Sequence, residues 1–275
     1  MTSEKLPPNL RADAFVGAAA DYARYRLPYP EVLLQSFLAQ AALPARGARL
    51  IDLACGPGRV TFAIADRFEE VLAVDREPEM VEAARREAAR RGISHIRWSV
   101  GRAEDLAAPA SYFDLVTIGE AFHRLDRPLV AAKAFGWLKP GGVLITLGMQ
   151  NFLRSDAPWR LIVKDIVTHF VGTPAERSGG SPNPTVEEGL ADQEATLRGA
   201  GFAGVASLDF DFSHTWNLPD LLGNLRSMSV VSPHALGTRH AAFEAEVRAA
   251  LLAFEPSSRY AEQISCGYTF AQKPR

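Results

Sequence analysis

Two carboxylates and a glycine turn in the first third of the chain are spaced to hold a nucleoside. Asp52 sits in a short apolar run, Leu50-Ile51-Asp52-Leu53, and Asp75 closes a second run, Val71-Leu72-Ala73-Val74, 23 residues further on. Between them come Ala54-Cys55-Gly56-Pro57-Gly58 and a helical stretch from Val60 to about Phe68. Strand, glycine turn, helix, strand, acid is the mononucleotide-binding half of a doubly wound α/β fold, with the acid expected roughly 20 residues on. The glycines let a ligand approach backbone that a Cβ would shield. A carboxylate at Asp75 has acceptor capacity for both hydroxyls of a ribose.

The glycine spacing selects among nucleotides. A nicotinamide site asks for G-x-G-x-x-G. From Gly56 the chain reads G-P-G-R-V-T, with Thr61 where the third small residue belongs and Pro57 lacking the N–H that a pyrophosphate would use. The turn instead resembles motif I of the class I S-adenosylmethionine (SAM) methyltransferases, D/E-x-G-x-G-x-G, here D-L-A-C-G-P-G with Ala54 in place of the first glycine. That resemblance implies SAM as cofactor and S-adenosylhomocysteine as product. It places Asp52, Ala54, Gly56, Gly58, Asp75 and Arg76 at the cofactor. Cys55 fills a position that needs a small residue and reads as packing.

The elements around the turn extend the resemblance. AFVGAAADYARYRLPYP, residues 14–30, is similar to the N-terminal signature of the trans-aconitate-methyltransferase-like branch, with Phe15, Tyr22, Arg26, Tyr29 and Pro30 matching and Leu27-Pro28 shifting one proline. In such relatives this segment folds over the cofactor. The resemblance puts Tyr22 and Arg26 near the methionine part, where Arg26 could pair with a carboxylate and Tyr22 could face the sulfonium. The other reading is packing aromatics and a surface cation. Val32, Leu33, Phe37, Leu38 and Ala41 recur at helical spacing. Pro78 opens a helix that Gly92 stops. Met80, one turn in, either packs on adenine as in family members or belongs to the core.

Ile96 to Val100 reads as the third strand and leads into Gly101-Arg102-Ala103-Glu104-Asp105-Leu106, which resembles the family's G-x-A-E-x-L. The Ala103 N–H with Glu104 or Asp105 would satisfy an adenine edge. A solvated acidic loop is the alternative. Tyr112 to Ile118 is the fourth strand, followed by Gly119-Glu120-Ala121-Phe122-His123. Ligands in these folds sit beyond the carboxyl ends of the strands, so Gly119 belongs to the cofactor site and Phe122 to the acceptor. This segment does not read N-P-P-Y, which argues against DNA bases and glutamine amides as acceptors. His123 titrates near neutrality and is the candidate general base; a hydrogen-bonded structural histidine is the competing reading. Helix Pro128 to Trp137, the turn Leu138-Lys139-Pro140-Gly141-Gly142 and a fifth strand, Val143 to Leu147, complete a run of family features across residues 15–148.

Beyond residue 148 the pattern is less regular. A helix from Val186 to Arg198 precedes Ala200-Gly201-Phe202, and Val205 to Phe212 alternates as a sixth strand. Ala241 to Phe254 is helical, and Ile264 to Gln272 reads as the last strand, which the family runs antiparallel. The resulting expectation is a Rossmann-like, doubly wound α/β sheet of seven strands, six parallel and the last antiparallel, with helical cap insertions. Its parts are an arm over the cofactor (1–30), the SAM-binding core (31–148), insertions at 149–185 and 213–260, a core helix and strand (186–212), and the final strand (261–275). His214 and Trp216 are candidate acceptor contacts; His169 and His214 read as bases or as polar core residues. No Cys/His cluster has metal-ligand spacing, so no metal is expected.

Composition narrows the class. The chain has 275 residues, 47% of them hydrophobic, which suffices for a full core. Its net charge of −2 lacks the basic surplus of a nucleic-acid binder. Two cysteines, Cys55 and Cys266, do not make a disulfide framework. The start, MTSEKLPPNL, lacks a secretory pattern, and no apolar run reaches membrane length, so a cytoplasmic protein, monomer or homodimer, is expected. The function implied is methyl transfer from SAM to a small organic acceptor at O, N, C or carboxylate, by in-line displacement. An NAD(P)-binding oxidoreductase, a nucleic-acid or protein methyltransferase, and a SAM-binding fold with another reaction are its rivals.

Overall fold

The structure, a computed structural model, describes residues 15–149, 156–173 and 186–275. Residues 1–14 of the expected arm, and 150–155 and 174–185 of the first expected insertion, lie outside them. The chain divides into two compact units. One comprises 28–149, 185–210 and 266–275; the other comprises 1–27, 150–184 and 211–265.

In the first unit the apolar runs become strands because both faces of a parallel sheet are covered. These are β1 (Arg49–Leu53), β2 (Glu70–Asp75), β3 (Ile96–Val100), β4 (Phe113–Gly119) and β5 (Leu138–Met149). Leu50, Ile51, Leu53, Leu115, Val116 and Ile118 have no exposed surface. With β6 (Ala203–Asn217) and β7 (Arg259–Gln272) they form a seven-stranded sheet in the order β3-β2-β1-β4-β5-β7-β6. β1 pairs parallel with β2 and β4, while β7 pairs antiparallel with β5, from Val143 opposite Gln272 to Met149 opposite Cys266. The strand order therefore reverses between β1 and β4, and the crevice at that point is where such sheets bind ligands.

Helices connect the strands of this unit: α2 (Glu31–Ala41), α3 (Arg59–Ile64), α4 (Pro78–Arg91), α5 (Arg127–Trp137) and, after the second undescribed stretch, α7 (Val186–Gly199). Pro78 begins α4 where a missing N–H costs nothing, and Gly92 ends it at φ 69°. Val130, Ala131, Ala134 and Trp137 of α5 pack into the core made by Ile51, Val116, Ile118 and Leu144.

Three boundaries differ from the sequence expectation. The helix after the glycine turn stops at Ile64 and tightens into a 3₁₀ turn, Ala65–Arg67, because Phe68 is buried in an extended conformation two residues before the next strand begins. The expected turn at Leu138–Gly142 lies inside β5 as a bulge. Leu138 already pairs with Phe113, and the next partners are Leu115 and Val143. Lys139 reaches back across the bulge to both oxygens of Asp114, at 2.8 and 2.9 Å. Lastly, β7 starts at Arg259 rather than Ile264. Its inward alternation, Tyr260, Glu262, Ile264, Cys266, runs through an acid whose charge hid the pattern.

The second unit contains α1 (Ala19–Tyr25), α6 (Pro158–Val171), α8 (Leu218–Arg226), α9 (Pro233–Leu236) and α10 (His240–Phe254). Its core is apolar, built on Trp159, Val163, Leu221, Leu225, Phe243, Val247 and Tyr260. Glu262 is neutralised inside this unit by an ion pair with the buried Arg160, and it accepts the Trp216 indole N–H at 2.5 Å. Helix α1 is strapped to α8. Arg226 binds Asp21 at 3.2 Å, Asn224 donates to the Tyr25 carbonyl at 3.2 Å, and the Tyr25 ring sits so close to Gly223 that a Cβ there would fall 2.3 Å from it.

Candidate functional site

The carboxyl ends of β1, β2, β3 and β4 carry most of the residues singled out in the sequence. The turn after β1 is held from below. Asp52 has no exposed surface, and both its oxygens are engaged: Thr117 on β4 donates to Oδ1 at 2.8 Å, and Thr61 on α3 donates to Oδ2. Burial pushes the Asp52 pKa up to about 6, against the pull of the two hydroxyls. Asp52 thus ties the turn and β4 together from within the sheet rather than facing a ligand. Thr61, the residue that broke the nicotinamide pattern, is one of its two hydroxyl partners.

The turn itself is strained where the family motif has glycine. Ala54 takes φ 50°, a left-handed value that costs a residue with a Cβ roughly 1–3 kcal/mol. Gly56 and Gly58 follow at φ 56° and 90°. They serve different ends. A Cβ on Gly58 would meet Phe62 at 2.7 Å and Trp98 at 2.9 Å, so Gly58 is there for packing. A Cβ on Gly56 would meet nothing within 4 Å, so its backbone borders open space.

Asp75 ends β2 beside that open backbone. Its Oδ2 accepts the Gly56 N–H at 2.7 Å and its Oδ1 the Glu77 N–H at 2.9 Å. Burial raises its pKa, while these two N–H groups and the cations Arg76 and Arg124 lower it. Each oxygen spends one lone pair on the protein and keeps a second. The carboxylate is therefore locked in orientation and still able to accept two hydroxyls. With the open backbone at Gly56, that pair of acceptors fits the ribose of an adenosyl cofactor.

The remaining expected cofactor residues lie around this pair. Arg76 bonds the adjacent Glu77 at 3.0 Å. Met80 is buried in the first turn of α4, and Ala103 is buried in a 3₁₀ turn, Ala103–Asp105, after β3. That turn is set by Gly101, whose N–H donates to the Asp75 carbonyl at 2.9 Å. The Glu104 side chain turns toward α5, accepting the Asp126 N–H at 3.2 Å beside Arg102 at 3.4 Å. Gly119 ends β4; a Cβ there would meet Val60 at 2.8 Å and the Tyr29 hydroxyl at 3.3 Å.

Past Gly119 the chain makes a second left-handed step, Glu120 at φ 52°, held by its N–H on the Leu147 carbonyl at 2.8 Å. Glu120 pairs with Arg59 at 2.6 Å, and the Arg59 guanidinium lies 4.9 Å from the centre of the Tyr29 ring. The sequence reading gave Arg59 and Glu120 no role. One signal was available: Arg59 is a cation at the start of a helix, where the dipole disfavours it, and such a cation calls for an acid nearby. Phe122 is buried in the core. His123 keeps exposed surface yet stands among crowded groups. The crowding lowers its pKa, Arg124 and Arg127 lower it further, and Glu120 opposes them. The imidazole is neutral at pH 7.

Four expected site residues belong to the other unit. Arg26 donates to the Ser227 hydroxyl at 2.8 Å and stacks on Tyr22 at 5.0 Å. His214 packs edge-on to Trp216 at 4.5 Å, and Trp216 is bound to Glu262. Among the described residues no group of His, Cys, Asp and Glu is placed to hold a metal ion. Among them, too, no helix is long and apolar enough to cross a membrane.

Known proteins resemble this chain in sequence and in fold. Residues 50–142, from β1 into β5, match the family model described as a methyltransferase domain. The ubiquinone biosynthesis O-methyltransferase of Xanthomonas campestris is 37% identical over 135 residues, covering 48% of this chain and 54% of that protein. The chain thus spans about half the length of that curated relative. Among solved structures, the YcgJ protein of Bacillus subtilis aligns over 90% of this chain and 100% of its own, at TM-score 0.57 and 16% identity. A Haemonchus contortus phosphoethanolamine N-methyltransferase 2, solved with phosphomonomethylethanolamine and S-adenosylhomocysteine, aligns over 100% of this chain and 61% of its own, at TM-score 0.58 and 14% identity. These likenesses establish the α/β methyltransferase fold.

Proposed function

We propose that this chain transfers a methyl group from SAM to a small organic acceptor by in-line displacement, releasing S-adenosylhomocysteine. The observation that carries the reading is the Asp75 carboxylate, fixed by the Gly56 and Glu77 N–H groups and left with acceptor capacity for a ribose diol. The match of residues 50–142 to a methyltransferase domain supports it. So does the likeness to an O-methyltransferase over 135 residues.

When bound, SAM supplies a methyl group already activated on a cationic sulfur. What remains for the chain is to hold and align. Asp75 takes the ribose hydroxyls, and the open backbone at Gly56 admits the nucleoside. Met80 offers an apolar side to adenine, and the Ala103–Glu104 turn offers its polar edge. Alignment of this kind contributes up to ~7–11 kcal/mol of barrier reduction. Tyr22 and Arg26 lie in the other unit, where Arg26 donates to the Ser227 hydroxyl, and this reading does not depend on them.

His123 bears on the acceptor. A carboxylate acceptor, which the trans-aconitate-like N-terminal signature suggests, needs no base. A hydroxyl must lose a proton as it attacks, and a neutral imidazole can take it. With His123 as that base, the acceptor is a hydroxyl. The test is turnover of SAM with paired hydroxy and carboxy acceptors, followed as S-adenosylhomocysteine release. The reading expects release with the hydroxy member. Absence of S-adenosylhomocysteine binding at millimolar concentration would overturn it altogether.

A further inference from the structure

Gly148 stands inside β5, and neither its conformation nor its packing calls for a glycine. Glycine weakens a strand, because its backbone loses more freedom and it has no side chain to pack. Other glycines of this unit answer a need: Gly58 is left-handed, and a Cβ on Gly267 would meet the Leu208 carbonyl at 2.6 Å. The φ of Gly148 is not left-handed, and among the described residues a Cβ there would meet nothing within 4 Å. Val143 to Leu147 before it are buried, whereas Gly148 is exposed. What remains as a reason is the close approach of a ligand. Residues two apart on a strand share a face, as do residues directly opposed across a ladder. Thr146 lies opposite Thr269, and Gly148 opposite Gly267. The threonine row is roofed: Gln193 of α7 donates to Thr146 at 2.9 Å and to Thr269 at 2.6 Å, and Ser207 of β6 hydrogen-bonds Thr269 at 2.9 Å. In the next row toward the carboxyl end of β5 the two glycines are bare, and the exposed Asp209 of β6 stands over Gly267. That row borders the turn after β4, where Gly119 pairs with Leu147 and the Glu120 N–H donates to the Leu147 carbonyl at 2.8 Å. A bay one side chain deep therefore opens beside the turn that carries His123, with a carboxylate on its far rim.

We infer that this bay holds the body of the methyl acceptor, that Gly148 sets its size limit, and that Asp209 selects an acceptor ending in an ammonium over one ending in a carboxylate. This rests on the reading of the chain as a SAM methyltransferase. The bare backbone of the two glycines is the floor on which the acceptor lies, with its hydroxyl toward the turn after β4 and its far end toward β6. An exposed carboxylate gains little from a cation and loses about as much to an anion, so the two effects together give a preference of about tenfold. In the sheet β4 separates β5 from β1 and β2. A side chain added at Gly148 therefore fills the bay and leaves the nucleoside end at Gly56 and Asp75 alone.

The probes are tyramine and 4-hydroxyphenylacetate, hydroxyl compounds of similar size with opposite charges at the far end. Each is titrated by calorimetry, at low salt, into the full chain saturated with S-adenosylhomocysteine. The wild-type protein binds tyramine about tenfold more tightly, and Asp209→Asn brings the two probes within about threefold of each other. Gly148→Val adds a side chain that strands favour, so its urea midpoint does not fall. It keeps S-adenosylhomocysteine affinity within about threefold and weakens both probes about tenfold or more, because the bay is filled. Gly148→Ala gives a smaller loss of the same kind and serves should the valine variant fold poorly. Probe affinities that Gly148→Val leaves unchanged overturn the bay and leave the cofactor reading standing. So does a wild-type protein that takes up S-adenosylhomocysteine but neither probe at millimolar concentration. A tyramine preference that survives Asp209→Asn overturns the selection by Asp209. A wild-type protein that does not bind S-adenosylhomocysteine overturns the SAM reading and the bay with it.

Discussion

Replacing Asp75 by Asn keeps the size of the side chain and removes its charge. In the wild-type protein Oδ2 accepts from Gly56 at 2.7 Å and Oδ1 from Glu77 at 2.9 Å. An amide has one oxygen, so in either orientation its NH₂ group faces one of these N–H donors and cannot accept from it. The turn loses one charge-assisted bond, about 1.5–3 kcal/mol, partly offset because a buried charge no longer has to be desolvated. The ligand loses more. Of two ribose hydroxyls on a carboxylate, one keeps a neutral acceptor and the other has none, a change of about 2–4 kcal/mol. At 1.4 kcal/mol per decade that is about 30- to about 700-fold in Kd. Calorimetric titration with S-adenosylhomocysteine measures it, with circular dichroism showing that the variant is folded at the temperature used. An affinity within about threefold of wild type in a folded Asp75→Asn protein would refute the placement of the ribose.

His123→Ala should leave S-adenosylhomocysteine affinity unchanged and reduce kcat by about 10²–10⁴ on a hydroxyl acceptor; survival of the rate removes His123 as the base. Because the folded pKa of His123 lies below its unfolded value of 6.5, the catalytically useful neutral form persists below pH 6.5, and the acid limb of kcat should fall there. A limb centred above pH 6.5 contradicts the assignment. Asp52 gives a stability test. Its pKa is about 6 folded and 3.8 unfolded, so the native state binds the extra proton between these values and stability should fall as pH rises from about 4 to 6. Thr117→Val removes the hydroxyl on Oδ1; it should destabilise by about 1.5–3 kcal/mol at pH 8, where Asp52 is charged, and by less at pH 5, as urea midpoints at the two pH values would show. Equal losses at both would mean that the bond is not to a carboxylate. In the other unit, Gly223→Ala drives a Cβ into the Tyr25 ring, 2.3 Å away, and should cost about 1–3 kcal/mol. Limited proteolysis should then cut within α1 faster; unchanged cleavage would show that α1 does not depend on that contact.

The sheet and the nucleoside end of the site were legible because their signals are local. A buried parallel strand is a short apolar run, a backbone that must turn sharply beside a ligand needs glycine, and an acid at a strand's end follows at a nearly constant distance. Those features are visible in Leu50 to Asp75 without any partner. Tertiary structure alone decided which polar side chains face the crevice. Asp52 and Asp75 look alike in sequence, but Thr61 and Thr117 close over the first, while the second is held by two backbone N–H groups and remains open to hydroxyls. Glu262 can face the interior from β7 only because the arginine that neutralises it lies about 100 residues earlier. Arg59 and Glu120 meet only because β1 and β4 are neighbours in the sheet. A charge has meaning through its partner and its solvation, and both are set by residues far away along the chain, whereas an apolar run or a glycine turn carries its own conformational reason within a few residues.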